Sequence, residues 1–141
     1  LTTGFKTTKI LQTSIKLKMA KVVYNNCVGQ FGLSQQALEK MVELGSKYVK
    51  ENPNYGTSYG EPDEISPKKW WEAKYIFDWD CPRHDEILVK VVSELGYFAN
   101  GPKSSLELAD VVSKYIIMST NGMEQVIQPQ DIQWQVASNR L

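Results

Sequence analysis

The sequence predicts an α/β (α+β) domain in which two amphipathic helices pack on one small mixed sheet and a C-terminal β-hairpin follows. Three observations carry this. Two stretches place apolar residues at helical spacing directly behind capping residues, Ser34 and Asp85. Short β-rich runs stand between and before them. Near the end, Asn121-Gly122 separates two apolar runs, and that dipeptide supplies the positive φ values of a type I′ turn. A chain of 141 residues holds one ordinary core. Its 42% apolar and 23% charged residues exclude a disordered, collagen-like or coiled-coil chain. No stretch approaches the roughly 18 uninterrupted apolar residues of a membrane span, so the expectation is a soluble domain without a membrane partner.

Ala20 to Cys27 (AKVVYNNC) reads as the first strand, and Val28 to Leu33 as a loop with two glycines. Ser34 caps a helix expected to run to about Lys50, with Ala37, Met41, Leu44 and Tyr48 on its apolar stripe and Leu38, Val42 and Val49 widening it. Gly45 is the point at which it would end early. Residues 51–68 carry Pro53, Gly56, Gly60, Pro62 and Pro67 and read as a long loop insertion. The aromatic run Trp70 to Trp79 favours a strand from about Lys74, with Tyr75 and Phe77 on one face and Ile76 on the other. Ser66-Pro67 could equally start a helix there. Cys81 to His84 is a turn, and Asp85 caps a second helix whose buried face is expected to hold Leu88, Val91, Val92, Leu95 and Phe98. Asn100-Gly101-Pro102 stops it. Ser105 to Val112 offers a third strand, and Tyr115 to Gln128 the hairpin. The single domain therefore spans residues 20–128, with an arm at 1–19 and a tail at 129–141.

Sixteen basic and sixteen acidic residues cancel, but unevenly. The arm carries Lys6, Lys9, Lys16 and Lys18 and no acid, which leaves the rest of the chain at −4. Its Thr and Ser content has a faint likeness to an organelle transit peptide, although it has no Arg. Met19-Ala20 is a natural place for a reading frame to begin. Cys27 and Cys81, far apart and outside any CxxC pair, fit a reducing compartment rather than a disulfide framework.

Asn25-x-Cys27-x-Gly29-x-Phe31-Gly32-Leu33-Ser34, opening a helix after a strand, resembles the N-x-C-[aromatic]-G-G-F-x-L-S motif of a small protein family of bacteriophages and large DNA viruses. Three further blocks are similar to that family in the same order: Arg83-His84-Asp85, Leu95-Gly96-Tyr97-Phe98-Ala99-Asn100-Gly101, and Asn121-Gly122-Met123-Glu124. Gln30 stands in place of the second glycine, Val28 in place of an aromatic, and Glu86 where a proline is common. The resemblance covers about Ala20 to Ile127 and implies a fold and a viral setting, in the virion or the host cytoplasm, rather than a reaction.

Four candidate sites follow. The Gly29–Ser34 loop at a helix N-terminus could hold an anion through free amides and the helix dipole, with Asn25, Gly29, Gly32, Ser34 and Arg83 around it. Neither nucleotide fingerprint is met, and the plainer reading is a tight turn that folds Phe31 into the core. Cys81 and His84 could form a nucleophilic couple, but no third partner is identifiable; Asp85 as a cap, Arg83 paired with an acid and a solvated His84 is plainer. One histidine excludes a multi-histidine metal site within the chain, and no cofactor is implied. Trp70, Trp71, Tyr75, Phe77 and Trp79 interleave with lysines as a base-stacking surface would, but the neighbouring acids favour core or protein interface over nucleic acid. Phe5 and Trp134, in the arm and the tail, are the remaining candidate anchors.

The leading expectation is a non-enzymatic interaction or structural protein, a small component of a viral assembly whose partners are other protein chains or further copies of itself. The alternative is a phage protein that binds a nucleotide or other anion in host signalling or defence; an enzyme using Cys81 and His84 ranks third. Because residues 20–128 can bury both helices without the arm, deleting residues 1–18 is expected to leave the domain folded with little loss of stability. Thermal denaturation checks this, and a truncation that unfolds would put the arm in the core sheet.

Overall fold

The computed structural model describes residues 19–56 and 73–139. The arm candidate Phe5, the insertion candidates Trp70 and Trp71, and the Ser66-Pro67 helix start lie outside them. The described residues form a small α+β fold in the order β1 (Ala20–Asn25), α1 (Gln35–Glu43), β2 (Val49–Glu51), β3 (Tyr75–Phe77), α2 (Glu86–Leu95), β4 (Leu106–Val111), β5 (Ile116–Thr120) and β6 (Met123–Ile127). Two single-turn 3-10 helices follow α2 and β6, at Gly96–Ala99 and Pro129–Asp131.

The expected single mixed sheet is instead three two-stranded antiparallel ladders, β1–β4, β2–β3 and β5–β6. The largest pairs Ala20 with Val111 through Asn25 with Leu106. The hairpin forms where expected, with Thr120 opposite Met123 across the two-residue turn. Asn121 and Gly122 take φ values of 53° and 83°, which match a type I′ turn.

Both caps act as the sequence implies. Ser34 Oγ accepts from the Ala37 amide at 3.1 Å, and Asp85 Oδ2 from the Leu88 amide at 3.0 Å. The first helix, expected to reach Lys50, ends at Glu43. Gly45 sits at φ 83°, its amide bonds to the Val42 carbonyl, and the Ser46 amide to that of Met41. That pair of bonds is a Schellman motif, which satisfies the last carbonyls and turns the chain out of the helix. Val49, expected on the helix, opens β2 instead, and Glu51, expected to begin the long loop, ends that strand; residues 57–68 of the expected loop lie outside the described residues. The second correction concerns Phe98. The chain tightens into the 3-10 turn after Leu95, which rotates Phe98 off the α2 stripe to 66% exposure.

The core is fed from both helices. Ala37, Leu38 and Met41 of α1 and Leu88, Val91 and Val92 of α2 are buried with Val23, Phe31, Tyr75 and Ala99. Every buried residue described falls between Val22 and Glu124. Among the described residues no helix is long and apolar enough to cross a membrane. Leu88 is fully buried, whereas Met118 on the outer face of β5 is 55% exposed. Leu88→Ala is expected to destabilise by about 2–5 kcal/mol and Met118→Ala by less than about 0.5 kcal/mol, both read by urea denaturation.

Candidate functional site

The motif residues singled out in the sequence meet in the structure, but around one another. In β1 the amides of Val23 and Asn25 face away from β4. Among the described residues no strand pairs with that edge; at these two residues it is closed by the turn before α2 and by a side chain of β6. The Val23 amide donates to the Arg83 carbonyl at 2.9 Å, and Arg83 Nη1 donates back to the Val23 carbonyl at 3.3 Å. The Asn25 amide donates to Glu124 Oε1 at 2.8 Å. Arg83 and Glu124 are joined by a bidentate pair, Nη1 to Oε1 at 2.7 Å and Nη2 to Oε2 at 2.8 Å. Their side chains are only 20% and 8% exposed, which makes this a shielded, charge-assisted interaction.

The guanidinium has a second support. Its carbon lies 3.5 Å from the centre of the Phe31 ring, a cation–π contact on a largely desolvated face. Phe31 in turn packs on Phe77 and edge-on to Trp79, with ring centroids 6.3 and 6.1 Å apart. The aromatic run therefore divides along its length. Tyr75 is buried and Phe77 half-buried behind Phe31, while Trp79 closes the cluster from outside at 62% exposure.

Asn25, fully buried, is spent on the backbone around it. Its Nδ2 donates to the carbonyls of Cys27 and Gly122 at 3.0 and 2.8 Å, and its Oδ1 accepts from the Ser105 amide at 2.7 Å and from the Cys27 thiol at 3.3 Å. The loop and the hairpin turn are pressed together here. The Gly29 amide bonds to the Asn121 carbonyl, and a Cβ on Gly122 would lie 1.7 Å from the Gly29 carbonyl oxygen. Gly122 is thus required twice, for its φ and for this contact.

The five residues expected around an anion do not converge on one pocket. Asn25 and Arg83 point their donors at internal acceptors. Ser34 lies elsewhere, on a cleft of about 590 Å³ lined also by Gln35, Glu39, Lys74, Tyr97 and Phe98. Its hydroxyl donates to the Phe98 carbonyl at 2.6 Å while it caps α1. Gly32 offers its carbonyl to Gly101 and Ser104, and Gly29 its amide to Asn121.

Cys81 and His84 have separate partners: the Cys81 thiol donates to the Pro82 carbonyl at 3.6 Å, and the imidazole meets Tyr115. Both cysteines are free thiols. Cys81 is buried, and burial first, then the nearby Asp85 and Asp78 carboxylates, push its thiol up to about 12 against the opposing pull of Arg83. It is a neutral thiol at physiological pH, the reverse of an activated nucleophile. His84 is exposed, with Nδ1 2.7 Å from the Tyr115 hydroxyl. Burial raises the Tyr115 phenol, while Arg83 and His84 lower it.

Sequence reading foresaw an acidic partner for Arg83 but did not name Glu124. The available signal was its place in the hairpin: two residues beyond Asn-Gly, with its side chain opposite to those of Met123 and Gln125 and so facing inward. Removing the carboxylate leaves a shielded guanidinium and the Asn25 amide without their acceptor. Glu124→Ala is expected to destabilise by about 3–5 kcal/mol, with a coupling of about 1–3 kcal/mol to Arg83→Ala in a double-mutant cycle. Glu124→Gln, which keeps an acceptor for Asn25, is expected to fall between the intact chain and Glu124→Ala; chemical denaturation of the intact chain, the three single variants and the double variant measures all of this. Compared with known protein families, curated proteins and solved structures, the chain matches none.

Proposed function

We propose that this chain is a non-enzymatic interaction protein, a small component of a viral assembly held among other protein chains by its terminal extensions. One observation carries the reading: the C-terminal tail. Residues 129–139 are exposed throughout, and beyond the 3-10 turn at Pro129–Asp131 they form neither helix nor strand. Yet they hold Ile132, Trp134 and Val136, of which Trp134 is 80% and Val136 88% exposed. A tryptophan left in water on a segment that adds little to the core is an anchor for something else, and tryptophan is the residue type most enriched at the energetic centres of interfaces.

Two further points support it. The polar residues best suited to chemistry, Asn25, Arg83 and Glu124, serve one another, and the Cys81 thiol is neutral. The viral setting rests on the resemblance of the four sequence blocks. A chain ending at Gln128 tests the reading. It is expected to keep its Tm within about 4 °C of the intact chain and to enter the assembly at least about tenfold less well in a quantitative reconstitution. Undiminished incorporation would overturn the proposal.

A further inference from the structure

The tail and the hairpin belong to one surface. A groove of about 280 Å³ is lined by Tyr115, Ile116, Ile127, Pro129, Ile132 and Trp134 together. It continues along the outer face of the hairpin, where Ile116 and Met118 are each 55% exposed and Met123 40%. The pairing of Ile116 with Ile127, Met118 with Gln125 and Thr120 with Met123 puts these side chains on one side of the ladder. Glu124 and Ser119 face the other way, toward the body of the protein.

β5 is also an open edge. In a two-residue hairpin the pair flanking the turn exchanges backbone bonds, so Thr120, Met118 and Ile116 bond to β6 while Ile117 and Ser119 direct their amides and carbonyls outward. Among the described residues no strand pairs with that edge. It carries no lysine, proline or bulge between Ile116 and Thr120, the devices that usually protect an edge. The tail has the complementary pattern. Ile132-Gln133-Trp134-Gln135-Val136 alternates apolar and polar with the period of a strand, and it is uncharged from Ile132 to Asn139. Eight residues extended reach about 26 Å, enough to run the length of a five-residue strand.

We propose that this surface pairs with a second copy of itself: the tail of each copy lies as an added strand along β5 of the other, with Trp134 seated on the partner's hairpin face. This rests on the interaction reading above and names the partner. Area favours a second copy. The exposed parts of Ile116, Met118, Met123, Ile132, Trp134 and Val136 amount to about 430 Å² of apolar surface per chain. Reciprocal burial in two copies, with the usual polar share, gives about 1,400 Å², within the range of a stable interface. Charge favours it as well. The patch carries one charge of each sign, Lys114 lining the groove and Asp131 in the turn that leads into the tail, so it presents no excess of like charge to a second copy.

Sedimentation velocity of the full chain from about 1 to 500 µM tests the proposal, combined with hydrogen exchange over the same range. The expected result is a concentration-dependent dimer with rising protection of the Ile117 and Ser119 amides. Trp134→Glu and Ser119→Pro are expected to weaken it by at least about tenfold, the second because proline removes the outward donor while the β6 ladder remains. Unchanged Tm values at low concentration certify that the variants fold. A chain that stays monomeric throughout, or a dimer that ignores both substitutions, overturns the self-pairing. A monomeric chain that still enters the assembly through its tail, by binding a different protein, overturns it too and leaves the interaction reading standing.

Discussion

The Glu124 carboxylate is the constraint on which the rest of the structure depends. It accepts from the Asn25 amide and from both terminal nitrogens of Arg83, so one side chain joins β6, the edge of β1 and the turn that launches α2. A β-strand with a bare edge must pair, be covered or be solvated. Here the edge is covered by a salt bridge: Arg83 serves Val23 with its carbonyl and its guanidinium, and Glu124 serves Asn25. Among the described residues that edge is occupied by the turn before α2 and by the Glu124 side chain rather than by a third strand, which keeps the β5–β6 hairpin out of the β1–β4 ladder.

A buried ion pair is weak evidence for stability in itself, because desolvation offsets much of the attraction. Its value here is positional. The hairpin has only two strands, and an isolated pair of strands is marginal in water. It is fastened to the domain by Glu124, by the Asn25 bond to the Gly122 carbonyl, and by the Gly29 bond to Asn121. Phe31 completes the arrangement from the loop side, packing the guanidinium on one side and the aromatic run on the other. Asn25, Gly29, Phe31, Arg83, Gly122 and Glu124 thus hold the loop, the turn before α2 and the hairpin together.

Much of this was legible in the residues. Helix starts at Ser34 and Asp85, the Asn121-Gly122 turn, the burial of Phe31 and the pairing of Arg83 with an acid are local chemistry or follow from it. The end of the first helix was harder. Leu44, Tyr48 and Val49 continue the apolar stripe past Gly45, and periodicity does not distinguish a continuing helix from a turn into a short strand. Sheet topology was not legible, because the edge of β1 is closed by residues 60 and about 100 positions away. The anion pocket drawn around Asn25 and Arg83 failed for the same reason: their donors look free until Glu124 and the backbone of the hairpin turn are brought against them.

The same geometry separates stability from recognition. The inner face of the hairpin carries Glu124 and is bound to the domain, while its outer face carries Ile116, Met118 and Met123 and touches little of the core. Substitutions on the outer face can therefore change without loosening the attachment, since the groups that fasten the hairpin lie on the opposite side of the same strands. The tail leaves from the end of β6, directly beside the exposed apolar residues, so whatever binds the tail meets the hairpin face as well. A two-stranded ladder whose outer edge is unpaired among the described residues, joined to an uncharged, alternating segment, is the arrangement that strand addition requires. In the self-pairing proposed above, its backbone bonds would supply affinity that does not depend on sequence, and Trp134 the selectivity.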